Sequence, residues 1–211
     1  MSDDIIQTLK TEAENGNADS ALKLAHAYRY GDGVEKDQQK AFRMIRKLAS
    51  SGNPVAGYEL SHMYNHGVGT DKDPEMAFRL MHDAAEAGYG PAQIGLSRMY
   101  TKGTGTKKNR RKAFDYLSRA AEAGMPEACY ELSHMCTESN EDGDAEKAYG
   151  LMVTAADGGY VPALYELGMM RLTGRGTDKD TLSGLKMVVE AAEKGHKPAL
   201  AAIENIRFAS E

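Results

Sequence analysis

The hexapeptide YELSHM occurs twice in this chain, at residues 58–63 and again at residues 130–135. Each copy contains a Glu-x-x-His pair, formed by Glu59 with His62 and by Glu131 with His134. Two such pairs on facing helices match the two Glu-x-x-His motifs of a di-iron carboxylate site. The repetition therefore indicates either a metal site built by two helices or an internal repeat of the whole chain.

The spacing of the two copies favours an internal repeat. They begin 72 residues apart, which is twice 36, and a step of 36 brings glycines, alanines and tyrosines into register. The positions in register are Tyr28, Tyr64 and Tyr100; Gly31, Gly67 and Gly103; Gly33, Gly69 and Gly105; and Ala41, Ala77 and Ala113. A period of 20 to 50 residues is typical of solenoids and related repeat arrays.

Each unit predicts two short helices joined by a Gly-x-Gly turn. In the first helix Ala56, Leu60 and Tyr64 are spaced by four residues, which places them on one apolar stripe. The second helix begins after an Asp or Asn that can cap its free N–H groups, and it ends at a glycine suited to a left-handed residue. The predicted caps are Asp37, Asp73, Asn109, Asp144 and Asp180.

The register predicts a single all-α domain over residues 1–211. Five helix pairs are expected at about residues 18–52, 53–88, 89–124, 125–159 and 160–195. A lone helix at about residues 4–15 matches a second helix, and another at about residues 198–209 matches a first helix. We expect these half-repeats to cap the ends of the stack, as terminal units do in solenoids.

The repeated pattern Ala-x-x-x-Leu-(Gly/Ser)-x-x-Tyr-x-x-Gly-x-Gly-Val-x-x-Asp-x-x-x-Ala, ending in Ala-Ala-x-x-Gly, resembles the Sel1-like repeat, a relative of the tetratricopeptide repeat. The best matches are AGYELSHMYNHGVGTDKDPEMAFRLMHDAAEAG at residues 56–88 and AQIGLSRMYTKGTGTKKNRRKAFDYLSRAAEAG at residues 92–124. The resemblance implies a right-handed α-solenoid whose first helices line a concave face. Proteins with this fold are mostly adaptors and scaffolds.

A solenoid is incompatible with the shared metal site. Equivalent helices of neighbouring repeats stack ~10 Å apart, so the two Glu-x-x-His pairs would be ~20 Å apart. A dinuclear centre needs its metals ~3.5–4 Å apart. The repeat between the two copies has Gly95 and Arg98 at the matching positions, which add a cation and no ligand. We therefore expect neither a metal nor another cofactor.

Three variable positions of the first helix are candidates for partner binding. We call them the His62 column, the Tyr58 column and the Glu59 column. Their members are His26, His62, Arg98, His134 and Met169; Leu22, Tyr58, Ile94, Tyr130 and Tyr165; and Lys23, Glu59, Gly95, Glu131 and Glu166. By analogy with tetratricopeptide solenoids some of these columns should face the concave groove, and Tyr and Arg are favoured anchors at interfaces.

Other interpretations of these columns remain open at this stage. The Tyr58 column packs between repeats in many proteins of the family, exposed histidines at a variable position can be without a role, and Glu59 can contact His62 as an i, i+3 pair. The residues that we predict to bind a partner are His26, Tyr58, Glu59, His62, Arg98, Tyr130, Glu131, His134, Tyr165 and Met169.

Composition narrows the compartment and the kind of partner. The net charge of −5 argues against a general nucleic-acid or membrane binder, and no apolar run approaches the ~20 residues of a membrane span. The N-terminus carries Asp3 and Asp4 where a signal peptide needs Lys or Arg. Cys129 and Cys136 would lie ~10 Å apart along a helix, so we expect free thiols and a cytoplasmic protein.

Two segments depart from the repeat. The basic run KKNRRK at residues 107–112 is either a solvated loop or a site for an acidic partner, nucleic acid or a localisation receptor. The turn of repeat four, at residues 136–144, loses its tyrosine and its Gly-x-Gly, and it is either a hinge, a contact point or drift.

The leading hypothesis is a non-catalytic scaffold that binds a peptide or protein domain, with no small-molecule substrate. An inhibitor or immunity protein that blocks a toxin enzyme is the alternative. A hydrolase is a third, because one cysteine-rich branch of Sel1-like proteins is described as penicillin-binding. In that branch a second cysteine stands where this chain has Ala121, eight residues before Cys129, so the resemblance to it fails.

Overall fold

A computed structural model describes residues 1–137 and 144–208 of the chain. In these residues the chain forms twelve α-helices and no strand. The helices are α1 Asp3–Glu14, α2 Ala18–Tyr30, α3 Gln38–Ser50, α4 Pro54–His66, α5 Pro74–Glu86, α6 Gly90–Lys102, α7 Arg110–Glu122, α8 Pro126–Thr137, α9 Asp144–Asp157, α10 Val161–Thr173, α11 Thr181–Glu193 and α12 Lys197–Phe208. Helices α2 to α11 form five consecutive pairs, so the prediction of an all-α repeat solenoid is confirmed.

The chain forms two compact units, one over Met1–Ala113 and one from Phe114 onwards. In the first unit the core is built from the apolar stripes of α2, α3 and α4, with Ala25, Ile45 and Met63 fully buried. In the second unit Met152 and Leu167 form a core between α9 and α10. The organisation of residues 1–211 as one domain stays a prediction.

The predicted caps organise the second helices. In four of them the side-chain oxygen accepts the backbone N–H three residues later, which satisfies a donor that the first turn leaves free. These bonds join Asp37 to Lys40, Asp73 to Met76, Asn109 to Lys112 and Asp180 to Ser183, at 2.8–3.0 Å. Helix α9 begins at the fifth predicted cap, Asp144.

The closing glycine of each repeat adopts the left-handed conformation that the sequence predicts. At Gly88 φ is +82°, and a Cβ built there would meet no atom within 4 Å. This glycine is therefore required by backbone conformation alone. The N–H of Gly88 donates to the carbonyl oxygen of Ala85, and this bond lies at the C-terminal end of α5.

The second glycine of the Gly-x-Gly turn is required for an additional reason. Gly69 has a φ of +69°, and a Cβ on it would lie 2.1 Å from the carbonyl oxygen of Gln38. Gln38 is the first residue of α3, the second helix of the preceding repeat. Gly105 approaches the carbonyl of Pro74 in the same way, and Gly176 approaches that of Ala145. The turn of each of these repeats therefore docks by its backbone onto the preceding repeat.

No helix in residues 1–137 and 144–208 is long and apolar enough to cross a membrane. Cys129 and Cys136 are buried and free, as the sequence predicts. The irregular turn of repeat four falls largely on residues 138–143, which lie outside the described residues.

Candidate functional site

Two glutamates of the Glu59 column, Glu59 and Glu166, contact the histidine of the preceding repeat. The carboxylate of Glu59 lies 2.6 Å from the Nε2 atom of His26, although 33 residues separate them in sequence. In the second unit the carboxylate of Glu166 lies 3.4 Å from the Nε2 atom of His134. We call these two contacts the histidine–glutamate ladder. The i, i+3 alternative is wrong for the hydrogen bond of Glu59, because its carboxylate bonds to His26 on the neighbouring helix.

The ladder shifts the pKa of one residue in each pair, His26 in the first and Glu166 in the second. The hydrogen bond with Glu59 raises the pKa of His26 above its ordinary value, against the opposing effect of burial. The hydrogen bond with His134 lowers the pKa of Glu166. The hydroxyl of Tyr130 also donates to Glu166 at 2.9 Å, so this carboxylate is held by two side chains of the preceding repeat. The protonated form of His26 and the ionised form of Glu166 are therefore favoured.

Both ladder pairs keep part of their surface in solvent. The side chains of His26 and His134 are 43% and 41% exposed, whereas those of Glu59 and Glu166 are 15% and 25% exposed. The glutamate therefore forms the buried base of each pair, and the imidazole ring lies above it. In each unit, a partner that approaches the first helices would meet an imidazole ring that is held by a glutamate of the next repeat.

The Tyr58 column packs against the residue that precedes or begins the next first helix. Tyr58 and Tyr89 contact edge to face with their ring centroids 5.5 Å apart. The equivalent contacts join Tyr130 to Tyr160 and Tyr165 to His196, each at 5.1 Å. The remaining members of the column, Leu22 and Ile94, are buried apolar residues. The column thus contributes to the packing between repeats, while its three tyrosines remain partly exposed.

The ladder is interrupted in the first unit, where the third member of the Glu59 column is Gly95. A cavity of about 230 Å³ lies here between α4, α5 and α6. Its walls include Tyr58, His62, His66, Gly95, Arg98 and Lys102. The Nε2 atom of His62 is buried, and no hydrogen-bond partner for it is present among the described residues.

The surroundings of His62 favour its neutral form. Burial lowers the pKa of His62, and the positive charges of His66, Arg29 and Arg98 lower it further, while Glu59 opposes them. His62 therefore differs from His26 in the sign of its pKa shift, although the two residues hold the same position in neighbouring repeats. The difference arises because His26 has a glutamate opposite it and His62 has a glycine.

The remaining predicted residues lie on the first helices as well. Arg98 is exposed on α6, and Glu131 is partly buried on α8. Met169 on α10 packs against the apolar cluster around Val188. The basic run of residues 107–112 is exposed, and its Lys112 lies with its Nζ atom 5.3 Å from the ring centroid of Tyr100.

The structure also describes the surroundings of the residues considered for a metal site and for the cysteine-rich branch. In the part of the chain that the structure describes, no group of three or more His, Cys, Asp or Glu side chains is placed to hold a metal ion. The thiol of Cys129 lies 4.0 Å from the carbonyl oxygen of Ala121, the residue that stands in place of the second cysteine of the cysteine-rich branch.

The sequence predicted that the candidate residues lie on the first helices, but it did not predict which of them bond to each other across repeats. The signal was present, because each ladder histidine is followed 32 or 33 residues later by a glutamate, and Gly95 stands where His62 would need one. Reading that signal requires the relative rotation of neighbouring first helices, which the repeat period alone does not provide.

Helix pairs with a recurring turn, docked backbone to backbone and carrying variable polar columns, define an α-helical repeat protein of the solenoid class. The Sel1 repeat model matches residues 18–53, 54–89, 90–125, 126–160 and 161–196, and the chain therefore belongs to the Sel1 repeat family. Proteins of this family generally mediate protein–protein interactions.

Solved structures agree with this membership. A Sel1 repeat protein from Oxalobacter formigenes is 30% identical, with a TM-score of 0.84 over 90% of this chain and 78% of that one. A protective antigen of uropathogenic Escherichia coli strains, described as displaying the SLR fold, is 28% identical with a TM-score of 0.86. That match covers 97% of this chain but only 44% of the antigen.

An immunity protein from Pseudomonas aeruginosa is 25% identical to this chain. Its TM-score is 0.60, over 92% of this chain and 75% of that one. A comparison with curated proteins found no match.

Proposed function

We propose that this protein is a non-catalytic scaffold that binds a protein partner on the face formed by its first helices. The observation that carries the proposal is the pair of half-exposed imidazoles, His26 and His134, each held by a glutamate of the next repeat. The first helix α6 also carries the exposed Arg98, and family membership adds that related chains generally bind proteins. The two free thiols support a reducing compartment, the cytoplasm, as the place of this function.

The ladder gives this face a property that a binding surface needs. Ordering a flexible side chain on binding costs roughly 0.5–1.5 kcal/mol. A ring that is already fixed by its glutamate avoids part of that cost. Arginine is also among the side-chain types that dominate binding energy at interfaces, and Arg98 is exposed on the first helix α6.

The proposal is tested by affinity purification from the source organism with a triple variant, His26→Gln/Arg98→Ala/His134→Gln. Glutamine keeps an N–H donor for Glu59 and Glu166 but removes the ring and its charge. Proteins captured by the wild type are identified by mass spectrometry, and the strongest is purified and titrated against both forms. We expect the triple variant to bind at least tenfold more weakly.

The matched control is Arg43→Ala/Arg79→Ala, which removes two exposed charges from the second helices α3 and α5. It should bind as the wild type does. Equal affinity of the triple variant and the wild type would contradict the proposal, provided that circular dichroism finds the same helix content in all three proteins. A loss of affinity in the control alone would indicate that the partner binds to the second helices instead.

The similarity to a Pseudomonas aeruginosa immunity protein favours a second candidate function, that of an inhibitor which blocks one toxin enzyme. This function shares the fold and the binding face but requires one tight partner rather than several weak ones. Co-expression with the products of adjacent genes distinguishes the two. A stoichiometric complex that survives gel filtration at nanomolar concentration supports the inhibitor, and several partners that dissociate on dilution support the scaffold.

A further inference from the structure

The cavity beside His62 is the one place in the first unit where the histidine–glutamate ladder lacks its carboxylate among the described residues. Glu59 provides the carboxylate for His26, and the corresponding residue for His62 is Gly95. The Nε2 atom of His62 is consequently buried without a hydrogen-bond partner in the described structure. An unsatisfied buried polar atom destabilises the free protein, and a ligand that bonds to it relieves that cost.

The charges around the cavity select for an anion. Arg98 and Lys102 of α6 line it together with His66 of α4. Arg29 and Arg98 both act on His62 from neighbouring first helices. Among the described residues the negative charge that acts on it is that of Glu59, which is itself bonded to His26. A carboxylate in the cavity would therefore face three basic side chains and a free Nε2 atom.

The size of the cavity selects for one side chain rather than a whole metabolite. Sites for small-molecule ligands typically enclose ~300–1,000 Å³, and this cavity encloses about 230 Å³. Gly95 lines the cavity without a side chain, and a Cβ at that position would lie 2.8 Å from the sulfur atom of Met81.

We propose that this cavity receives an Asp or Glu side chain of the protein partner, whose carboxylate takes the place of the glutamate that Gly95 omits. The inference rests on the proposed function, since it assigns a chemistry to the partner that the first-helix face binds. In the complex the Nε2–H group of His62 donates to one carboxylate oxygen, and Arg98 and Lys102 neutralise its charge. The partner's carboxylate thereby lies beside His62 as the carboxylate of Glu59 lies beside His26.

The first test uses two short peptides that differ in one group, acetyl-Ala-Glu-Ala-amide and acetyl-Ala-Gln-Ala-amide. Each is titrated into the full chain while the ring carbon–hydrogen signals of the histidines are followed by NMR. The glutamate peptide should move the signals of His62 and raise its pKa, whereas the glutamine peptide should move them at least tenfold less at equal concentration. His26 is the internal control, because its carboxylate is already present.

The second test supplies the carboxylate from within the chain. Gly95→Glu should raise the pKa of His62 towards that of His26 and should abolish binding of the glutamate peptide. Gly95→Gln is the matched control with nearly the same shape and helix propensity, and it should leave the pKa of His62 low. Both variants need a small movement of the flexible end of Met81.

Three outcomes would overturn the inference: equal responses to the two peptides, inorganic phosphate displacing the glutamate peptide at equal concentration, or a Gly95→Glu variant with an unchanged His62. These outcomes differ from a failure of the proposed function. If the peptides do not distinguish His62 while the triple variant still loses the partner, only the acidic specificity is wrong. If the triple variant keeps the partner, the binding face itself is wrong.

Discussion

Alanine at Gly69 should destabilise this chain far more than alanine at Gly88. Both glycines are left-handed, with φ values of +69° and +82°. At Gly88 an added Cβ meets no atom within 4 Å, whereas at Gly69 it lies 2.1 Å from the carbonyl oxygen of Gln38. The two substitutions therefore share the conformational cost and differ only in the backbone approach between repeats.

The magnitudes follow from the two contributions. A left-handed residue with a Cβ costs roughly 1–2 kcal/mol relative to glycine, and this is the whole expected effect of Gly88→Ala. Cβ contacts under 3.0 Å are essentially never observed, so Gly69→Ala must also move the carbonyl of Gln38 by about 0.9 Å. Forcing atoms into a packed contact typically adds ~1–3 kcal/mol, which gives an expected total of about 2–5 kcal/mol.

Urea denaturation followed by circular dichroism measures both effects, with midpoints compared at a common m-value. Asparagine separates the contributions further, because it tolerates the left-handed conformation but carries a Cβ. Gly88→Asn should be milder than Gly88→Ala, whereas Gly69→Asn should still carry the cost of the Cβ contact with Gln38 and remain clearly more damaging than Gly88→Asn. Equal midpoints for Gly69→Ala and Gly88→Ala would refute the argument that the turn docks by its backbone onto the preceding repeat.

Three further predictions concern the ladder and the caps. Glu59→Gln should lower the pKa of His26 in an NMR titration. The raised pKa of His26 favours the protonated folded form, so the stabilisation lost in this variant should be largest between pH 5 and 6.5. The difference from the wild type should disappear as the pH rises through the folded-state pKa of His26. Because the pair is half exposed, the loss should not exceed about 1 kcal/mol in urea unfolding. Tyr130→Phe should lower the unfolding free energy by about 0.5–1.5 kcal/mol through the lost bond to Glu166, and a Tyr130→Phe/Glu166→Gln double variant that is merely additive would contradict this coupling. Asp73→Ala should cost about 0.5–2 kcal/mol in the same assay, whereas Asp73→Asn should stay close to the wild type because asparagine also caps.

The repeat period predicted the helices because the same residues carry the same local signals in every unit. Asp73 caps α5 and Gly88 closes it, and both signals act within one turn of the chain, where sequence determines geometry directly. The all-α repeat architecture followed from these local signals. Residues whose role depends only on near neighbours in sequence were therefore interpreted correctly.

The pairing of the site residues was not predictable in the same way. Glu59 is three residues from His62 and 33 residues from His26, and the local pair was the natural interpretation. The bond to His26 depends on how far one first helix is rotated relative to the next, and that rotation is set by packing over the whole repeat. The meaning of Gly95 depends on the same rotation, because its missing carboxylate is visible only once the ladder is known.

The docking of Gly69 on Gln38 joins main-chain atoms to main-chain atoms. A backbone contact of this kind does not depend on the identity of the surrounding side chains. Exposed positions of a first helix that belong neither to the ladder nor to the Tyr58 column can therefore be exchanged between repeats, or randomised in a library, without disturbing this contact. Such exposed positions can change one module at a time, which makes this chain a suitable scaffold for engineering new surfaces.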